Sequence, residues 1–403
     1  MKLTKEDFYD SPFEPGKPAS PHYFKGRIGE CKKIIRYLPK VINTGIPQHF
    51  FITGKRGMGK TSFGKYVSSI AEDNFNMIPI HLNNRDGTTV DELIQKLLEA
   101  LFKEFDKGYL GKNLVNSFID NISEVKIAGT GFSLKNEKKL IENVKNNFSN
   151  FLIKTCENLP EGYGIFFLID DINGLSDNLE FTNWYKSFFE SIDFYEEYVP
   201  VVFTLISYPK EFYNLCDINE SFTRIFQKQI EIDELEYEEI KEFYLDTFKE
   251  FNITFENDKP LSTLIHYTMG MPLIMQQIGD SVFWNVQDTF EITEKIAIES
   301  IIDAANEIGK KQIKHKLNKI QNEHYVNIFI KIAKNKLMSF KKSEVKKLLN
   351  NEEIKVFDNF LMKAKKLNIL ESIGKENSGE YAFVNSLYFI YFMIISITDK
   401  YVE

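Results

Sequence analysis

The chain has 403 residues, 43% of them hydrophobic, which is enough for two or three domains with cores of their own. Its longest apolar run, Leu387 to Ile395, is far shorter than the ~20 residues that span a bilayer, and the opening Met1 to Glu6 lacks the apolar region of a secretory signal. A membrane-spanning protein is therefore excluded, and a cytoplasmic one is expected. Cys31, Cys156 and Cys216 are far apart and odd in number, which predicts reduced thiols, and the six histidines have no metal-ligand spacing.

The net charge of −8 is unevenly distributed. Residues 310–366 carry sixteen lysines against five acids, a net of +11, which leaves −19 for the rest. A basic segment on an acidic body points to a nucleic acid or an acidic protein surface as partner, or to a solvated lysine-rich helical face. Only five of the 50 basic residues are arginine: Arg27, Arg36, Arg56, Arg85 and Arg224. Because a planar guanidinium fork suits phosphate better than an ammonium does, each deserves separate consideration.

In chain order, residues 1–23, with Pro12, Pro15, Pro18 and Pro21, read as an extended arm. A helix carrying Ile34, Ile35, Leu38 and Ile42 is expected next. The apolar strand Phe50 to Thr53 then runs into Gly54-x-x-x-x-Gly59-Lys60-Thr61, and a helical face of Phe63, Tyr66, Val67 and Ile70 follows. Strand, loop and helix in this order form the full phosphate-binding pattern. Gly54, Gly57, Met58 and Gly59 would turn backbone N–H groups around phosphate oxygens, beside Ser62 at the helix start. Lys60 would reach the β- and γ-phosphates and Thr61 would hold Mg²⁺. The expected ligands are ATP or ADP with Mg²⁺.

Met77 to Leu82 reads as a second buried strand, and Thr89 with Glu92 as a capping box opening a helix over 90–105. Residues 124–134 alternate as an inserted hairpin would, and one long helix is expected from Leu140 to Thr155. Gly164 to Ile169 is a continuous apolar strand ending in Asp170 and Asp171. Asp170 would hold Mg²⁺ and Asp171 would orient the attacking water. After a helix with Phe181, Trp184, Tyr185, Phe188 and Ile192 come strand four, 199–206, and strand five, 228–232. Ser207, at the end of strand four, is placed to sense a γ-phosphate. Trp184 and Trp284 are expected in the core.

From Glu236 the pattern is wholly helical, with segments at 236–250, 258–268, 272–287 and 293–320. Three further helices and a hairpin, Ile369–Ile373 with Tyr381–Val384, then follow the order of a winged helix. The fold class is α/β: a P-loop NTPase parallel sheet core with a helical lid and a C-terminal winged helix. The expected division is 1–23 arm, 24–234 core, 235–318 lid and 319–403 winged helix.

Several of these motifs resemble one family. Ser11-Pro-Phe-Glu-Pro-Gly16 with Phe24-Lys25-Gly26-Arg27, the phosphate loop with its internal Arg56-Gly57, and Asp170-Asp171-Ile-Asn-Gly174 are similar to motifs of prokaryotic AAA+/STAND-type ATPases. The origin-recognition-like initiators and archaeal-type ATPases belong to this group. Ser221 to Phe226 resembles the box that carries their trans-acting arginine, here Arg224. Met269-Gly270-Met271-Pro272 looks like their lid turn, and the absence of a lid arginine favours the STAND and archaeal branch. The resemblance implies that Gly26, Arg27 and Pro272 sit beside the nucleotide and that ATP binding drives assembly of a homo-oligomer. Arg224 as a surface ion pair, and Arg27 as a brace for the first helix, stay open as alternatives. Arg56 is read as an interface or structural residue. Asp171, where such enzymes commonly have glutamate, implies slow hydrolysis. The expected function is an ATP-hydrolysing switch that engages double-stranded DNA through the winged helix; the alternative is a regulatory or defence scaffold whose winged helix binds protein. Helix 354–366 would lie in the major groove with Lys355, Lys363, Lys365 and Lys366, but it has no arginine to read guanine.

Overall fold

The computed structural model describes residues 10–85, 87–106, 138–195, 197–226, 228–286, 289–319, 322–373 and 379–398. The chain divides into two compact units, Pro18–Asp233 and a second made of Met1–Lys17 with Glu234–Glu403. The expected hairpin at 124–134 lies outside the described residues.

In the first unit, β1 (Gln48–Thr53), β2 (Met77–Asn83), β3 (Gly164–Asp170), β4 (Val201–Ile206) and β5 (Lys228–Glu231) form one parallel sheet in the order β2-β3-β4-β1-β5. The strands are nearly continuous hydrophobic runs because helices cover both faces. Helix α1 (Ile28–Ile35) and α2 (Leu38–Thr44) precede β1, and α3 (Lys60–Phe75) follows it. Helix α4 (Val90–Asp106) is opened by the expected box, with Thr89 Oγ1 accepting from the Glu92 N–H at 3.2 Å. Next come α5 (Lys138–Asn146), α6 (Phe148–Glu157), α7 (Leu179–Tyr195), α8 (Pro209–Ile218) and the short α9 (Ser221–Ile225).

Two expected single helices are each broken in two. Near Tyr37 the break falls where Pro39, lacking an N–H, is tolerated only in the first turn of a new helix. At Asn147 the backbone leaves helical geometry (φ −125°, ψ 33°) and the side-chain amide donates to the Asn143 carbonyl at 3.1 Å, a local bond that competes with the helix ladder.

Glycine in mid-helix costs about 1 kcal/mol relative to alanine. Gly64 nevertheless occupies the inner face of α3, where a Cβ would come within 2.7 Å of Leu168 Cδ1 and 3.0 Å of Ile206 Cδ1. Its absence lets α3 lie close over β3 and β4. On the other face, Phe167 and Phe203 stack at 4.6 Å. Trp184 packs against this core.

The second unit contains α10 (Tyr237–Glu250), α11 (Asp258–Thr268), α12 (Pro272–Asn285) and α13 (Glu294–Ile308). It is not wholly helical: β6 (Thr254–Phe255) and β7 (Glu291–Ile292) pair as a short parallel ribbon. Phe13 of the arm is buried against Phe243, Tyr244 and Phe248. Trp284, expected in the core, is 52% exposed on the outer face of α12, where its indole N–H bonds Asp280. The remainder runs α14 (Lys314–Leu317), α15 (Glu323–Lys334), β8 (Ser339–Lys341), α16 (Lys342–Lys346), α17 (Asn351–Lys366), β9 (Leu370–Ile373), β10 (Glu380–Phe383) and α18 (Ser386–Thr398). The expected hairpin gains a third strand, giving an antiparallel sheet in the order β8-β10-β9. Phe329 of α15 stacks on Phe392 of α18 at 4.6 Å, and both are fully buried.

His49 of β1 is buried among Phe188, Phe189, Phe203 and Phe226, with Nδ1 2.8 Å from the Tyr185 hydroxyl. Burial lowers its pKa to about 3. The unfolded chain binds this proton near pH 6.5 and the folded one does not, so stability is full above 6.5 and is lost as pH falls towards 3, by about 1.4 kcal/mol per unit from this group. His49→Phe should lower the melting temperature at pH 7, because the Tyr185 hydroxyl loses its partner, yet flatten the decline between pH 6.5 and 4. Parallel melting profiles for the two proteins would show that His49 carries no such linkage.

Candidate functional site

The carboxyl end of β1 delivers the chain to Gly54, whose φ of 156° excludes other residues and whose Cβ would lie 2.4 Å from the Ile232 carbonyl oxygen. Gly57 and Gly59 also have positive φ, and Gly59 caps α3, so the helix begins at Lys60. Met58 is buried and anchors the loop. Orphan N–H groups at the start of a sixteen-residue helix thus face the same end of the sheet as the loop amides.

The Lys60 ammonium donates to the carbonyls of Gly54 at 2.7 Å and Lys55 at 3.0 Å and sits over the Tyr208 ring, 4.5 Å from its centroid. Burial lowers its pKa to about 8, with Asp170, Asp171 and Glu211 opposing. Thr61 Oγ1 donates to Asp170 Oδ2 at 2.7 Å. Burial raises the Asp170 pKa, and the Thr61 hydrogen bond works against it. A hydroxyl and a carboxylate so close together could supply hard oxygen donors to a cation such as Mg²⁺.

Asp171 leaves the sheet in a left-handed conformation (φ 61°, ψ 57°). Its carboxylate accepts from the Asn173 amide and lies 3.5 Å from Arg85 Nε. Asn84, at the end of β2, donates its backbone N–H to the Asp170 carbonyl at 2.7 Å and is fully buried; its Oδ1 has no partner among the described residues. Ser207 is buried at the end of β4, and its hydroxyl donates to the Tyr208 carbonyl at 2.9 Å.

Gly26 (φ 77°) and Arg27 (φ 58°) form a left-handed pair before α1. The Arg27 guanidinium is buried and donates to the Met58 carbonyl at 2.9 Å and the Asp233 carbonyl at 2.8 Å. It therefore braces the phosphate loop from beneath. Ser62 Oγ accepts from the Ala19 N–H at 3.1 Å, tying the arm to α3. Arg56 is exposed. Arg224 is exposed on α9 and bonds Ser221 Oγ at 3.4 Å. Since Lys228 pairs with Phe50, Arg224 precedes the amino-terminal end of β5, whereas the loop leaves the carboxyl end of β1. Within one chain the guanidinium and the loop thus belong to opposite ends of the sheet. Pro272 opens α12 in the second unit, after the left-handed Met269 and Gly270.

The site therefore brings together Lys60, Thr61, Asp170, Asp171 and Ser207. Sequence reasoning missed Tyr208, Arg85, Asn84 and Glu211 beside them. Two signals pointed their way: Arg85 is one of only five arginines and follows strand two, and Tyr208 is the residue after a strand end already singled out.

No protein-family model and no curated protein matches the sequence. Among solved structures, a Walker-type ATPase of Pyrococcus abyssi is similar at 15% identity, with 96% of this chain and 97% of that one covered and a TM-score of 0.53. The Aeropyrum pernix ORC2 protein, solved in ADPNP and ADP complexes, is similar at 10% identity over 98% of both chains, with a TM-score of 0.56. At these identities the two structures show a shared fold, one built here around a five-stranded parallel sheet.

Gly54→Ala should be destabilising by at least about 2 kcal/mol, because the added Cβ meets the Ile232 carbonyl in a backbone region that strains any other residue. Differential scanning calorimetry checks this, and an unchanged melting temperature would mean that the loop can be built another way.

Proposed function

We propose that the chain is an ATP-driven molecular switch of the AAA+/STAND type that binds ATP with Mg²⁺, hydrolyses it slowly and couples nucleotide state to assembly. One observation carries this reading: a complete phosphate loop with Lys60 poised on its own carbonyls and Thr61 hydrogen-bonded to Asp170. The loop amides, the α3 N-terminus and Lys60 would hold the phosphates, while Thr61 and Asp170 would hold Mg²⁺. Bound there, the ion would neutralise charge developing on the phosphoryl oxygens. Asp171 would orient the attacking water once free of Arg85, and Ser207 would contact the γ-phosphate side. Arg224, exposed and remote from its own loop, suits donation to a neighbouring copy. We read 24–234 as the ATPase core, 235–318 as the lid that carries Pro272, and 319–403 as a winged helix.

For the output, the order α15-β8-α16-α17-β9-β10 supports a winged helix, and the +11 segment supports double-stranded DNA as its partner. With lysines alone, contacts would go to phosphates and read little sequence. A specific observation favours the second reading, a scaffold whose module binds protein. Lys355 pairs with Glu352 at 2.7 Å and Lys342 with Asp358 at 2.5 Å, while Ile354 and Met362 of α17 are 42% and 66% exposed.

Lys60→Ala should abolish ATP binding in calorimetry. Asp171→Asn should bind normally and turn over at least tenfold more slowly, and Arg224→Ala should lose turnover that rises with protein concentration. Wild-type hydrolysis rates in both Lys60→Ala and Asp171→Asn would defeat the mechanism. Fluorescence anisotropy with a duplex should show binding at about 50 mM salt that collapses by about 200 mM. No binding with either ATP or ADP at the lower salt, together with ATP-driven light scattering, would select the protein scaffold.

A further inference from the structure

An ammonium has three hydrogens. In Lys60 two of them are committed to the Gly54 and Lys55 carbonyls, and the Tyr208 ring lies beneath the nitrogen at 4.5 Å. The half-buried site strengthens this contact, since a cation–π interaction gains when water is excluded. The backbone that carries the ring is held in place. Tyr208 caps α8, its carbonyl accepts both the Ser207 hydroxyl at 2.9 Å and the Phe212 N–H at 3.3 Å, and Pro209 fixes the next φ. Of the charged groups acting on its phenol, Asp171 and Glu211 also act on the Lys60 ammonium.

We propose that Tyr208 is a positioning residue that sets nucleotide affinity by competing with phosphate for the Lys60 ammonium. A phosphate oxygen that takes the third hydrogen displaces the ring from the cation, so part of the binding free energy goes into undoing the cation–π contact. This rests on the nucleotide-binding reading above. The competitor is the face of the ring, not its hydroxyl.

Isothermal titration calorimetry of the full chain with Mg-ATP and Mg-ADP tests this in wild type, Tyr208→Phe, Tyr208→Leu and Tyr208→Met. The two aliphatic variants should bind roughly three- to tenfold more tightly, and the Phe variant within about twofold of wild type. A merely structural role would instead weaken binding and lower the melting temperature without nucleotide. Equal or weaker binding in both aliphatic variants overturns the proposal, as does tightening in the Phe variant, which would implicate the hydroxyl. A wild-type chain that binds neither nucleotide overturns the nucleotide reading itself, and the role of Tyr208 with it.

Discussion

The hydrogen bond from Thr61 to Asp170 is the constraint on which the rest of the site depends. Thr61 opens the helix after β1, and Asp170 ends β3, yet β4 lies between those strands. At about 4.8 Å per strand, the two backbones are roughly 10 Å apart across the sheet. Only a helix lying over β3 and β4 rather than over its own strand brings the hydroxyl to the carboxylate. Gly64 permits that position, because its missing Cβ leaves room for Leu168 of β3 and Ile206 of β4. A glycine that weakens its helix in isolation thus completes the site.

The electrostatics follow from the same proximity. Lys60, Asp170 and Asp171 sit at one sheet end with their charges partly desolvated, which depresses the lysine and raises Asp170. Lys60 opposes the rise at Asp170, and both carboxylates oppose the fall at Lys60. In the proposed reading, this mixture of a cation, carboxylates and backbone dipoles would hold a polyanion together with a metal.

Much of this was legible in the sequence because the signals were local. The glycines at 54, 57 and 59 mark positive φ, continuous apolar runs mark buried parallel strands, and Asp170 ends such a run. What escaped depends on distant partners. The breaks at Tyr37 and Asn147 interrupt apolar patterns that continue across them, so periodicity alone could not locate them. The ribbon of Thr254–Phe255 with Glu291–Ile292 is two residues wide, too short for any alternation to register. Tyr208 meets Lys60 only because β4 neighbours β1, a pairing of residues 148 positions apart in sequence that no spacing rule reports. Trp284 is exposed although its neighbours Val282 and Phe283 are buried, because a helix interleaves inward and outward positions.

Arg27 has a mechanical consequence. Its buried guanidinium grips one carbonyl of the phosphate loop and one of Asp233, the last residue before the chain leaves this unit. Hydrogen bonds to a charged donor contribute about 1.5–3 kcal/mol each, and a buried arginine stripped of them would be more costly still. The exit of the chain is therefore indexed to the loop as well as to the sheet. One nitrogen, Nη2, makes both bonds, so the loop and the exit of the chain share a single anchoring atom.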